Sequence, residues 1–164
     1  MKATPFWDWA LAQYRSEATQ HLLLRLQEES GLVILEALFV SWLASEGYQW
    51  RSGDTLQLRD ATQNWIDEVV LPLRAVRERW KSDADMEASR RHLLALEVEA
   101  ERQLAELMWA NSESARSETI SGAPAAMRAT QHQMNSNLLA LPVFENGKYA
   151  SEREQLVALL LEST

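Results

Sequence analysis

The 164-residue chain has no cysteine, five glycines and four prolines. Without cysteine it forms no disulfide, offers no thiol nucleophile, and builds neither a Cys-ligated zinc site nor an iron–sulfur cluster. Five scattered glycines are too few for a phosphate-cradling loop or a dinucleotide-binding fingerprint. Positive charge is also scarce. Sixteen Lys and Arg stand against twenty-four Asp and Glu, for a formal charge of -8 and a pI near 4.9. That field repels phosphate backbones and anionic lipid surfaces, so no nucleic-acid partner is expected. Long apolar runs are missing too: Leu32 to Ala44 contains Glu36 and falls short of the roughly 20 apolar residues a membrane span needs. No membrane partner is expected, and an N-terminus that reaches Phe6-Trp7-Asp8-Trp9 without an apolar signal core points to a cytoplasmic setting.

What is present is 46% hydrophobic residues, including seven tryptophans, in a chain long enough to bury one core. The pattern predicts an all-α, single-domain bundle of about six to seven helices. Thr4-Pro5 opens a helix to about Arg15, with Thr4 as its cap. A second helix, about Glu17 to Glu29, ends at Gly31, and a third, Leu32 to Glu46, is apolar nearly all round and expected to be the centre of the fold. Residues 47–55 read as a loop capped at Asp54 or Thr55, with Trp50 plugging it onto the bundle. From Leu56 to Lys81, Leu58, Ala61, Trp65, Val69, Val76 and Trp80 recur at helical spacing, and Pro72 interrupts them, predicting one long kinked helix.

Ser82 to Asp85 reads as a turn and cap. Beyond it Leu93, Leu96, Ala100, Leu104 and Leu107 form the stripe of a long acidic helix of roughly 32 residues, or about 48 Å. The composition then shifts, dividing the chain into a helical core domain 1–109, a Ser-rich linker 110–124 and a C-terminal helical extension 125–164. Within the extension, Met127 to Leu141 is helical up to Pro142, Asn146-Gly147 is a turn, and Ser151 with Glu154 forms a capping box for the last helix. No strand pattern survives, because Leu141-Pro142-Val143-Phe144 contains a proline and has no partner run.

Catalytic signatures are absent. A di-metal bundle site needs Glu-x-x-His, but Ala18, Ser89 and Ala129 precede His21, His92 and His132 by three residues. No metal ligand, cofactor or catalytic residue is assigned. Two constellations remain. Arg74, Arg77 and Lys81 fall within about 60° of helix azimuth beside Trp80, and suit an acidic partner surface or a small anion. The same stripe also suits pairing with the following acidic helix through Glu97, Glu99 and Glu101. The second constellation is Glu36, a carboxylate within an apolar helix, which either forms a structural ion pair or lies in a pocket lined by Trp42 and Trp65 near Arg74. Trp7, Trp42, Trp65 and Trp80 fall on apolar stripes and read as core, whereas Trp50 and Trp109 are the tryptophans best placed to anchor a partner.

Several blocks together resemble an uncharacterised family of small proteobacterial proteins. They are Phe6-Trp7-Asp8-Trp9-Ala10-Leu11 with Tyr14, Leu24-Arg25-Leu26-Gln27 with Gly31, and Leu38 to Ala44. In the second half the matching residues are Trp65, Val69-Val70, Pro72-Leu73-Arg74, Arg77 and Trp80-Lys81. The resemblance spans roughly residues 6–109 and implies a helical fold in a bacterial cytoplasm without implying an activity. The family pattern has Pro-Gly where Glu17-Ala18 stand, and an Asp and an Asn near Val33 and Leu35.

The functional expectation is a protein-interaction protein, adaptor or regulatory, that binds an unidentified protein through the Arg74/Arg77/Lys81 stripe and the acidic helix. The alternative is a small-molecule or anion-binding protein or enzyme using the Trp-lined pocket. A homodimer through the long helix is a third expectation.

Overall fold

The computed structural model describes residues 3–117 and 127–163. Among these residues the chain is all-helical, with nine α-helices and no strand. The first three are α1 (Thr4–Tyr14), α2 (Glu17–Ser30) and α3 (Ile34–Ser45). Helix α1 begins as expected at Thr4-Pro5, but Ala3 holds the cap position, and its backbone carbonyl accepts from Trp7. Ser16 caps α2 by accepting the Thr19 N–H at 3.4 Å, and Gly31 ends it at φ 74°, a left-handed conformation that glycine adopts without a Cβ penalty. Helix α3 buries ten of its twelve residues, as its all-round apolar sequence requires.

The next element departs from a single kinked helix. Helix α4 (Ser52–Trp65) runs into a π-helical turn, Ile66–Val70, followed by α5 (Leu71–Arg79). The N–H of Leu71 reaches back to the Ile66 carbonyl, five residues away, immediately before Pro72. A proline without an N–H strains the ladder here, and the wider turn absorbs that strain. The start of α4 is also earlier than expected. Asp54 is its third residue and accepts the Arg51 N–H at 2.8 Å, so it braces the first turn from inside rather than capping it.

Two short 3-10 turns, Trp80–Ser82 and Ala84–Met86, reverse the chain, and the Asp83 carboxylate accepts the Asp85 N–H at 3.1 Å. Helix α6 (Glu87–Ala110) follows, with 24 residues and a length of about 36 Å. Its buried face is Glu97, Ala100, Leu104, Ala105 and Met108, and Leu96 is 58% exposed, so the helix is rotated relative to the expected stripe. The single turn α7 (Glu113–Arg116), α8 (Met127–Leu139) and α9 (Ala150–Glu162) complete the order. The nine helices exceed the expected six to seven because the long helix divides at the π turn and α7 adds a turn.

Residues 127–163 pack into the same core as the first three helices. Met134, Leu138, Leu141, Phe144, Leu156, Val157 and Leu160 are fully buried there, with α8 lying along α3. Of the expected linker, 110–117 includes α7, whose Ala115 packs against the core, and 118–124 lie outside the described residues. Asn146 and Gly147 form the expected turn at φ 58° and 75°. The expected Ser151–Glu154 box does not form: α9 starts at Ala150, and Tyr149 holds the cap position with φ 52° and no side-chain cap bond.

One region stands apart. The core draws on Ile66 and on Leu104 but on nothing between them. Residues 71–99, comprising α5, the two turns and the first half of α6, form a helical hairpin outside that core, called the arm below.

Candidate functional site

The π turn adds a residue to one helical turn and so rotates everything after it by about 100°. Helix α5 thereby presents Arg74 and Arg77, one turn apart, to α6. Glu97 of α6 is 4% exposed and meets both. Its carboxylate accepts from Arg74 Nε at 3.2 Å, from Arg77 Nε at 2.5 Å and from Arg77 Nη2 at 3.3 Å. Glu101, one turn on, accepts Arg74 Nη2 at 3.2 Å, and Arg77 Nη1 also reaches Glu78 at 2.9 Å.

The network's electrostatics follow from its depth. The Glu97 hydrogen bond pushes the Arg77 guanidinium still higher, so it stays charged. Burial raises the Glu101 carboxyl above the usual carboxylate range, and the neighbouring Glu97 charge adds to that, while Arg74 opposes both. The Tyr14 hydroxyl of α1 is raised first by burial and then by Glu101, which brings α1 to the edge of this cluster.

Of the four stripe residues expected from sequence, Arg74 and Arg77 are therefore committed to carboxylates of their own chain. Lys81 and Trp80 lie beyond the end of α5, on the 3-10 turn, where Lys81 is exposed and Trp80 half-buried. Helical azimuth changes at that boundary, so the four do not form one row.

The residues of the alternative pocket are separated by their partners. Glu36 is 1% exposed and takes a two-pronged bond from Arg59, with Nη2 at 2.6 Å and Nε at 3.3 Å. Trp42 is enclosed by rings: Phe6 at 5.6 Å, Phe39 at 6.3 Å and Trp109 at 5.7 Å between centroids. Trp65 donates its indole N–H to the Ala100 carbonyl at 2.8 Å, fastening α4 to α6. Two shallow surface depressions among the described residues lie elsewhere, both lined by Gln57, Asn111 and Ser114, and touch none of these groups.

Trp50 plugs its loop onto the bundle as expected, and neither it nor Trp109 stands out as a free anchor for a partner. Trp50 is buried, edge-on to Phe39 at 5.9 Å, with its indole N–H on Thr55 Oγ1 at 2.8 Å. Trp109 is half-buried against Trp42 and lies under the Arg116 guanidinium, 3.7 Å from its ring centre. His21, His92 and His132 are exposed, and no group of three or more His, Asp or Glu able to hold a metal occurs among the described residues.

Sequence reasoning missed Asn137. Fully buried on α8, its Oδ1 accepts from the Trp50 N–H at 2.9 Å and from Gln133 Nε2 at 2.7 Å. Its Nδ2 donates to the carbonyls of Val40 at 2.9 Å and Tyr48 at 3.0 Å. The signal was present: Asn137 lies on the Met134–Leu138–Leu141 face, where a polar side chain needs partners. Nearby, Thr55 Oγ1 donates to the Ala140 carbonyl at 3.0 Å and joins α4 to the same lock.

Fold and site thus define an all-helical protein with a locked core and an ion-paired arm. Residues 5–108, more than half of the chain, match the family described as Protein of unknown function (DUF2390), and the chain belongs to it. No curated protein and no solved structure matches. The matched span contains α1 through most of α6, hence the whole arm, and excludes α8 and α9, which fill the core. Among the described residues no helix is long and apolar enough to cross a membrane.

Proposed function

We propose that this chain acts by binding another protein, as an adaptor or regulator without catalysis of its own, and that the arm is its contact element. The observation that carries this reading is the arm's surface. Residues 71–99 contribute nothing to the core, yet Leu71, Leu94, Leu96 and Val98 are four of the eight large apolar side chains left exposed among the described residues. Leu94 and Val98 lie one turn apart on the same side of α6, and adjacent apolar side chains outside the core are what a docking surface requires. A single folding domain, a cytoplasmic setting and the absence of a nucleic-acid partner belong to the same reading.

Arg74 and Arg77 support the arm's shape in this account, because replacing them strands the buried Glu97. The contact residues are the exposed ones. The test is affinity capture from an extract with the wild-type chain and with Leu94→Glu, Val98→Glu, circular dichroism confirming that both fold. Proteins retained by the wild type and lost by the variant are the expected result. Identical retention by both would remove the arm from the account.

A further inference from the structure

Charge is unevenly spread along the chain. Residues 71–99 carry six cations and six anions, so the entire net charge of -8 belongs to the rest. The arm's tip mixes both signs. At the tip, where the 3-10 turns pack on the start of α6, Arg79, Lys81, Arg90 and Arg91 stand among Glu78, Asp83, Asp85 and Glu87, and none of the four cations is ion-paired among the described residues. At the base lie Glu97, Glu99 and Glu101 of α6, with Asp67 and Glu68 of the π turn beside them.

One face of α6 joins the two ends. Leu94 and Val98, 45% and 44% exposed, are one turn apart, and Arg91 and Glu101 flank them within about 80° of azimuth. Counted from Leu96, Leu94 and Val98 are each two residues away, and Arg91 and Glu101 each five. The face therefore matches itself when reversed.

We infer that this face docks a second copy of the same chain, antiparallel, about a two-fold axis that crosses α6 at the level of residue 96, midway between Leu94 and Val98 and on the side of the helix away from the Leu96 side chain. The inference rests on the arm being the contact element and names its occupant. In this register Leu94 meets the partner's Val98, and Arg91 meets the partner's Glu101, whose side chain is one-third exposed and keeps Arg74 on its other flank. A self-complementary patch of this kind closes into a dimer instead of growing into a fibre. A parallel arrangement sets cation on cation. Contacts away from the arm oppose two surfaces that hold all of the net negative charge, whereas arm against arm brings together two segments without net charge and pairs Arg91 with Glu101 at both ends.

The test is light scattering on the full chain over a wide concentration series at low salt. The expected mass rises from 18.7 kDa toward twice that value for the wild type and stays at 18.7 kDa for Leu94→Glu, Val98→Glu. Because the chain has no native cysteine, Leu94→Cys and Val98→Cys chains report the register directly. Mixed and oxidised, they are expected to give a covalent heterodimer in excess of either variant alone, a result that stands even where the glutamate variant does not fold. A wild-type mass fixed at 18.7 kDa, association unchanged in a folded glutamate variant, or no mixed disulfide would each overturn the inference. A monomer that still captures another protein through Leu94 and Val98 sinks the self-docking and leaves the arm reading standing; a monomer with no arm-dependent contact sinks both.

Discussion

Helix α3 buries ten of its twelve residues and helix α5 buries none, although the two lie in one chain 26 residues apart. Around α3 the contacts are rings and aliphatic side chains: Phe6 on Phe39 at 5.0 Å, Trp42 among three rings, and α8 along its side. Around α5 they are charges gathered on Glu97. The first kind of contact scales with area and resists local opening. The second depends on a few atoms, and the loss of one partner leaves the other buried and unpaired. A protein built this way has a body held by packed area and an arm held by a few charged atoms.

The body is most vulnerable at its polar lock. Asn137→Leu strands the Trp50 N–H and the Tyr48 carbonyl and removes a second donor from the Val40 carbonyl, and with about 1–3 kcal/mol for each stranded group the expected loss is about 3–5 kcal/mol in urea denaturation. A loss under about 1 kcal/mol would mean that the amide is not holding α8 to the core. Next in size is Arg59→Met, which leaves Glu36 buried without its cation and is expected to cost about 3 kcal/mol by the same measurement.

The arm should respond differently. Glu97→Gln removes the shared charge between Arg74 and Arg77, at an expected cost of about 2 kcal/mol confined to the arm. Trypsin is then expected to cut faster at Arg77, Arg79 and Lys81 while the urea midpoint of the whole chain hardly moves. A midpoint shift as large as that of Asn137→Leu would erase the distinction between the two regions. The smallest effect concerns Glu101. Its folded carboxyl binds a proton more tightly than the unfolded one, so its contribution to stability is present at low pH and is lost as pH rises through the raised value. Glu101→Gln is therefore expected to flatten thermal stability between the ordinary carboxylate range and neutrality, read as melting temperature against pH. An unchanged slope would remove Glu101 as its source.

Local signals were legible in the sequence. Gly31, Asn146-Gly147, Asp83 and the apolar run of α3 each dictate their structure through nearby atoms, and each is found as expected. The disturbance at Pro72 was legible too, though not the π turn that resolves it, because the ladder can bend, break or widen at a proline. The phase of α6 was not legible. Leu93, Leu94, Leu96 and Val98 offer competing apolar stripes, and a glutamate at 97 reads as a solvent face until two arginines from another helix arrive to bury it. Trp50 was legible as a plug but also suggested a partner anchor from its loop position; what settles it inward is Asn137, 87 residues away, which accepts its backbone N–H. At the site, the pairing of Arg74 and Arg77 with the acidic helix was one of two open alternatives, and the Arg59 partner of Glu36 carried no local mark.

The most direct test of this two-region account is native-state hydrogen exchange on the full chain, comparing amides of 71–99 with those of α3 and α8. The account expects the arm's amides to exchange through openings about 2–3 kcal/mol cheaper than the global unfolding that exposes α3 and α8. Equal protection in both regions would contradict it, because the arm would then open only with the body.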